Sequence, residues 1–227
     1  GKYMKILEKL NEDYLNNVDF IYIYKHGAKV IKFDLRLWVF YFNDVYFIKG
    51  EQRAIIDFLN TLSGNLKFVI HNSSYDQLLK EKFNLGPKII AYQYSYLKKY
   101  VTISTEIKIK PIGIEYLNFI EQNYLAPVDH QYLQKRLDAN VFVGAFIGDQ
   151  IVGFAGIHDE GTIGFVEVLK KYRRMKIGTA LETYLIDRLL KAKEDIYLQV
   201  ETNNDVSIKF HEKLGFLRGN DIISWYL

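Results

Sequence analysis

Residues 168–182, VLKKYRRMKIGTALE, constrain the fold more than any other stretch of the chain. An apolar run, TIGFVEVL (162–169), ends in a turn carrying Lys170, Lys171, Arg173, Arg174 and Lys176. A segment with Ile177, Ala180, Leu181, Tyr184, Leu185 and Leu189 on one helical face begins at once. A strand that hands over directly to a one-faced helix must lay that helix back on its own sheet, which demands a layered α/β architecture. The helix start is also a chemical feature. Its first N–H groups have no intrahelical partner and sit at the positive end of the dipole, so a turn that leaves them uncovered is an anion site. Gly178 keeps a Cβ out of a ligand's way, and Thr179 adds a hydroxyl donor. With the cations beside them, these groups suit a diphosphate. A solvated basic loop and a glycine placed for packing are the plain alternatives.

The remaining pattern divides near residue 100. Residues 1–100 read as a small α+β unit: a helix at about 4–16, hairpin signals at His26-Gly27 and Asn43-Asp44 between the runs FIYIY, WVFYF and VYFI, and a helix at about 51–62. A strand KFVI (67–70), a short helix (74–83) and a strand KIIAYQY (88–94) complete it. Residues 101–227 read as a strand TEIKIKPI, helices EYLNFIEQNYL and DHQYLQKRL, and a hairpin turning at Gly148-Asp149. The strand, basic turn and helix described above come next, followed by a strand IYLQVE, a helix from about Asn204 to Leu214 and a last strand IISWYL. Shifted by 131 positions, KFVIHNSSYDQLLKEKF falls on LQVETNNDVSIKFHEKL, so the first unit is read as a possible degenerate copy of the second; Tyr46 and Phe47 then face Ile177 and Gly178.

Composition narrows the chemistry. No cysteine is present among 227 residues, which removes disulfide frameworks, zinc ribbons and thiol nucleophiles and fits a cytoplasmic setting. Thirty basic against 27 acidic residues leave a net charge of +3, too small to argue for nucleic acid. The start, GKYMKILEKLNEDYLNN, is charged and amphipathic without an apolar h-region, and no run of 18 apolar residues occurs, so neither secretion nor membrane spanning is expected. His26, His71, His130 and His158 are scattered without HxxxH spacing, and no metal is expected. The phosphate motifs GxxxxGK[ST] and GxGxxG and the GxSxG elbow are absent.

Two blocks then carry a resemblance. A strand ending at Val168, Tyr172-Arg173, and Ile177-Gly178-Thr179-Ala180-Leu181 are followed by a strand and NDVSIKFHEKLGF (204–216). In this order and spacing they resemble the GNAT superfamily of acyl-CoA-dependent N-acyltransferases over roughly residues 103–227, with a weaker likeness to the glycine N-acyltransferase branch. The resemblance implies a mixed, mostly antiparallel central sheet flanked by helices, and acetyl-CoA or another acyl-CoA as donor. The family's pyrophosphate turn, Arg/Gln-x-x-Gly-x-Gly/Ala, falls on Arg173, Arg174, Met175, Lys176, Ile177 and Gly178, with Lys176 where the first glycine is expected. That lysine either adds a point charge beside the phosphates, the reading favoured, or crowds them.

The implied reaction is direct attack of a neutral primary amine on a thioester. An alkyl amine has a pKa of about 10, so the proton must be taken up. Glu167 is the candidate base, directly or through water, with a place on the far face of the strand, paired with a lysine, as its alternative. Backbone N–H near Val168 is expected to polarise the carbonyl. His211 stands at the family's tyrosine position, which protonates the leaving thiolate; a solvated helix residue is the alternative. Asn204 is expected to cap its helix, bind the pantetheine arm, or both. Asp159-Glu160 are read as part of a hairpin loop. The acceptor is expected to be a small-molecule or peptide amine, and the protein a monomer or homodimer. A non-catalytic acyl-CoA-binding or regulatory module is the competing reading.

Overall fold

The computed structural model describes residues 1–227. The first elements are helices α1 (Lys2–Asn11) and α2 (Tyr14–Lys25), strands β1 (Lys29–Phe33), β2 (Leu37–Phe42) and β3 (Val45–Gly50), and helix α3 (Gln52–Asn60). Strand β4 (Lys67–His71), helix α4 (Asp76–Phe83) and strand β5 (Pro87–Ser95) follow. Next come β6 (Lys108–Ile112), α5 (Leu117–Asn123), α6 (His130–Asp138), β7 (Phe142–Ile147), β8 (Gln150–Ile157) and β9 (Ile163–Val168). Helix α7 (Ile177–Lys191), strand β10 (Tyr197–Glu201), helix α8 (Asp205–Leu214) and strand β11 (Leu217–Tyr226) close the chain. The mixed α/β class is as expected, with antiparallel pairing predominant and β3–β4 parallel.

Two compact units form, one from residues 1–96 with 199–227 and the other from 97–198. The first holds a seven-stranded sheet in the order β1-β2-β3-β4-β11-β5-β10. The order two helices, three strands, helix, strand, helix, strand occurs twice along the chain, from α1 to β5 and from α5 to β11. The last strands of the two series have changed places: β11 lies between β4 and β5, while β5 neighbours β10. Pairing runs from Ile223↔His71 to Tyr226↔Phe68 on one side of β11 and from Leu217↔Ser95 to Tyr226↔Pro87 on the other. That exchange is why residues 199–227 pack with the first unit, although sequence order groups them with residues 101–198.

Two local readings are corrected. FIYIY is not a strand but the second half of α2, where Val18, Phe20, Ile21 and Ile23 are buried. A helix buried around most of its circumference shows no 3.6-residue stripe, so its β-branched and aromatic residues mimic a strand. His26-Gly27 accordingly ends a helix rather than turning a hairpin: Gly27 has φ 97° and Ala28 N–H donates to Ile23 O at 2.9 Å. Asn43-Asp44 does turn a two-residue hairpin, with φ 46° and 67° closing Phe42 on Val45.

The second unit holds the antiparallel sheet β6-β7-β8-β9. Its core gathers Ile120, Leu133, Leu137, Phe142, Phe154 and Phe165. From α7, Ile177 and Leu181 reach down to Gly153 of β8, where an added Cβ would meet them at 3.3 and 3.4 Å.

Candidate active site

Strand β9 ends its sheet, and past the single parallel bridge Thr162↔Tyr197 its outer edge has no strand partner. Its register against β8 slips between Gly156↔Gly164 and Phe154↔Glu167, so Phe165 and Val166 oppose Ala155 alone. This is a β-bulge, and Phe165 takes φ 53° to make it. A buried phenylalanine tolerates that angle because its ring is socketed, with Phe142, Tyr124, Tyr132 and His158 all within 6.0 Å, centroid to centroid. Leu169 N–H donates to Val152 O, so strand alternation turns the N–H of Val168 toward the open edge.

The Glu167 side chain is engaged within the protein. Its carboxylate accepts from Leu125 N–H at 3.0 Å and lies 3.7 Å from the Arg173 guanidinium. Burial, and secondarily the Glu167 charge, push the neighbouring Tyr124 phenol above its ordinary value. Arg173 is drawn back to the same strand end, its Nε donating to Val168 O at 3.1 Å.

The cations of the turn are therefore not equivalent. Arg173 braces the strand, while Lys170, Lys171, Arg174 and Lys176 are exposed and enter no ion pair with an acid. Met175 is also exposed and Ile177 is buried. Arg174 and Lys176 carry positive φ, 80° and 58°, and Lys176 is the N-cap residue of α7. A left-handed backbone at this position explains why the resembling family places glycine there. No side chain caps α7 and no acid lies in its first turn, so its N–H groups keep their full positive end. Around Gly178 an added Cβ would meet nothing within 4 Å. Thr179, half-buried, follows it in the same turn.

Asn204 and His211 belong to the other unit. Asn204 caps α8, its Oδ1 accepting from Ser207 N–H at 3.1 Å. His211 is buried on the same helix, its ring nearly perpendicular to those of Phe210 and Phe216. Its Nδ1 faces Ser207 O at 2.8 Å. A carbonyl can only accept, so Nδ1 carries a proton.

Sequence reasoning missed the bulge, which is a property of register, although Gly164 before an aromatic was a signal. It also passed over His158, which lies on Phe165 at 4.0 Å. Asp159-Glu160 do sit in the β8–β9 connection, but Glu160 is buried and bonded to Thr162 Oγ1 at 2.6 Å; burial, reinforced by Asp159, pushes its carboxyl up to about 8. No group of three or more histidines and carboxylates is placed to hold a metal ion.

A bulged edge strand running into an uncapped, cation-flanked helix start, with a glycine open to the outside, offers an anion site, and comparison with known proteins supplies the class. Residues 113–216 match the acetyltransferase (GNAT) family. Over 143 residues the chain is 27% identical to N-alpha-acetyltransferase 30 of Schizosaccharomyces pombe, covering 61% of this chain and 89% of that protein. Over 97 residues it is 32% identical to the ribosomal protein bS18 alanine N-acetyltransferase of Escherichia coli K12, covering 42% of this chain and 62% of that enzyme. A GCN5-related N-acetyltransferase from Kribbella flavida shares the fold with a TM-score of 0.60 at 9% identity, over 93% of this chain and 95% of that one. Residues 113–216 belong to the GNAT family, and the protein is an acyltransferase.

Proposed function

We propose that this protein transfers an acetyl group from acetyl-CoA to a primary amine of a peptide or protein by direct attack. The observation that carries the donor assignment is Gly178: its backbone angle is ordinary and its missing Cβ faces open space, so neither strain nor internal packing requires glycine there. A pyrophosphate approaching the uncapped N–H groups of α7 does require it. Arg174, Lys176 and Thr179 stand beside that approach, with Met175 and Ile177 contributing backbone. Arg173 sets the end of β9 through Val168 O. The amine acceptor follows from what the two curated relatives are named for.

In the step itself, the amine nitrogen bonds to the thioester carbon, the carbon–sulfur bond breaks, and the proton lost by the amine passes to solvent or a carboxylate. Val168 N–H is assigned to the carbonyl oxygen, whose charge grows in the transition state. Glu167, tied to Leu125 N–H and faced by Arg173, is assigned to proton uptake through water rather than by direct contact. His211 is assigned to the leaving thiolate. With Nδ1–H committed to Ser207 O, it donates from Nε2 only as the imidazolium. Asn204 is assigned to the pantetheine arm in addition to its cap.

Residues 1–100 are proposed as a degenerate copy of the acetyltransferase fold, supported by the repeated order of elements. The connection from β3 to α3 is Glu51 alone, an acidic N-cap where α7 has its basic turn; Tyr46 and Phe47 lie within β3. No helix is long and apolar enough to cross a membrane. A cytoplasmic setting is proposed from the missing cysteines.

The test is CoA-thiol release from acetyl-CoA across two peptide panels, one with free N-termini and one N-blocked with free lysines. Release with the first panel supports an N-terminal acceptor, and release with the second moves the acceptor to lysine. Acetyl-CoA binding without release in either contradicts catalysis and favours a binding module.

A further inference from the structure

The bulge of β9 is held by a structure that the acyl-transfer chemistry does not touch. His158, just past the end of β8, lays its ring on Phe165 with centroids 4.0 Å apart and planes 24° from parallel. The same ring closes over Gly164: a Cβ there would stand 2.6 Å from His158 Cδ2 and Nε2, so the glycine exists to admit the histidine. Gly164, just before the bulge, and Phe165, its first residue, are thus fitted to one imidazole.

That imidazole is fixed in turn. Tyr132, in the first turn of α6, brings its hydroxyl to 2.8 Å from His158 Nδ1, and the same oxygen accepts from Asp159 N–H at 3.2 Å. Burial pushes the Tyr132 phenol far above its ordinary value and holds the His158 imidazole down to about 4, so both are neutral and share one hydrogen bond, while the phenol also reaches Asp159 Oδ1 at 3.3 Å. Tyr132 is itself pinned, its backbone N–H donating to the N-cap carboxylate of Asp129 at 2.9 Å. Arg136, one turn along α6, donates through Nε and a terminal nitrogen to Ile157 O at 3.0 and 2.9 Å. Helix α6 therefore grips the residue before His158 as well as its ring.

We propose that His158 is a positioning residue for acyl transfer: held by Tyr132, its ring fixes Gly164 and Phe165, and so sets the direction in which the outer-edge N–H groups of β9, Val168 included, meet the thioester carbonyl. The inference rests on the acyl-CoA reading. Transition-state stabilisation by fixed dipoles depends on their aim, so a loosened bulge costs rate before it costs donor affinity.

The experiment measures CoA and acetyl-CoA affinity by calorimetry, and kcat and KM with an accepting peptide, for the wild type, His158→Ala, His158→Phe, Tyr132→Phe and His158→Ala with Tyr132→Phe. CoA lacks the thioester carbonyl, so its affinity reports the pyrophosphate and pantetheine contacts without the bond to that carbonyl. His158→Ala is expected to leave CoA affinity unchanged, to cut any preference for acetyl-CoA over CoA by roughly threefold to tenfold, the worth of one hydrogen bond, and to lower kcat by about tenfold to a hundredfold. His158→Phe, which keeps a ring against Gly164 and Phe165, should recover most of the loss. Tyr132→Phe should cost less, and nothing further in the His158→Ala background. A lowered melting temperature with kcat and the donor preference both unchanged would overturn the inference, leaving His158 a core residue. Absence of CoA binding in the wild type would overturn the acyl-CoA reading, and the inference with it.

Discussion

Lys176 is where one residue is asked to do two incompatible things. Its φ of 58° is left-handed, which costs a non-glycine residue about 1 kcal/mol, and its side chain stands exposed at the start of α7. Lys176→Gly is therefore expected to raise stability by up to about 1 kcal/mol in urea unfolding. It should also weaken CoA binding by roughly tenfold or less, as expected for one exposed charge. Tighter CoA binding by that variant would show that the lysine crowds the phosphates. The sequence made the departure from glycine visible. The backbone angle that explains the family's glycine was not visible, because φ is settled by how the turn closes between Val168 and Ile177.

At the scale of elements, the helix and strand periods were legible wherever one face is buried and the other wet. The helix at about 51–62, found as α3 with Ile55 and Leu59 buried, and the hairpin at Asn43-Asp44 are of this kind. They were illegible where burial is nearly all-round, as in α2, and where structure depends on a partner, as in the slipped register between β8 and β9. The same dependence predicts an unusual substitution effect. Phe165 has φ 53°, which glycine would adopt without strain, yet its ring fills a socket of four aromatic residues. Phe165→Gly is expected to destabilise by about 3 kcal/mol in urea unfolding, the cavity outweighing the relieved strain. A variant as stable as the wild type would mean that the socket contributes nothing to holding the bulge.

On the scale of the whole molecule, the exchange of β5 and β11 makes the two halves of the sequence dependent on each other. Residues 1–100 alone would lack the strand between β4 and β5, and are expected to aggregate; a monodisperse, cooperatively unfolding fragment would contradict this. A buried charge cluster fastens β11 into place. His71 on β4 faces Asp19 of α2 at 2.7 Å and Asp221 of β11 at 2.8 Å, and Lys49 of β3 reaches Asp221 at 2.6 Å and Asn17 at 2.8 Å. Gln93 of β5 also faces Asp19. Both ring nitrogens meet carboxylates, which ionised can only accept, so His71 is an imidazolium; its pKa is raised because the two carboxylates outweigh burial. A raised folded pKa gives stability that is complete below the ordinary imidazole value of about 6.5 and lost as pH rises through the folded value. The raised Glu160 carboxyl acts in the same direction, over the window from its ordinary value of 4.5 up to about 8. Unfolding free energy is thus expected to decline above neutral pH, by at most about 1.4 kcal/mol per pH unit from each group, with the slope reduced in His71→Gln. A slope identical in that variant would mean that His71 does not carry the proton. None of this cluster was legible in the sequence, where Asp19, His71 and Asp221 are far apart and only the topology brings them together.

The central claim, that the open start of α7 holds the pyrophosphate of an acyl-CoA, is tested most directly by calorimetric titration of CoA into the wild type and Gly178→Leu. The side chain enters space that the protein leaves open, so the variant should fold with a melting temperature at or above the wild type's, helix propensity adding up to about 1 kcal/mol. Binding present in the wild type and lost in this intact variant is the predicted result; equal affinity in both would contradict the account.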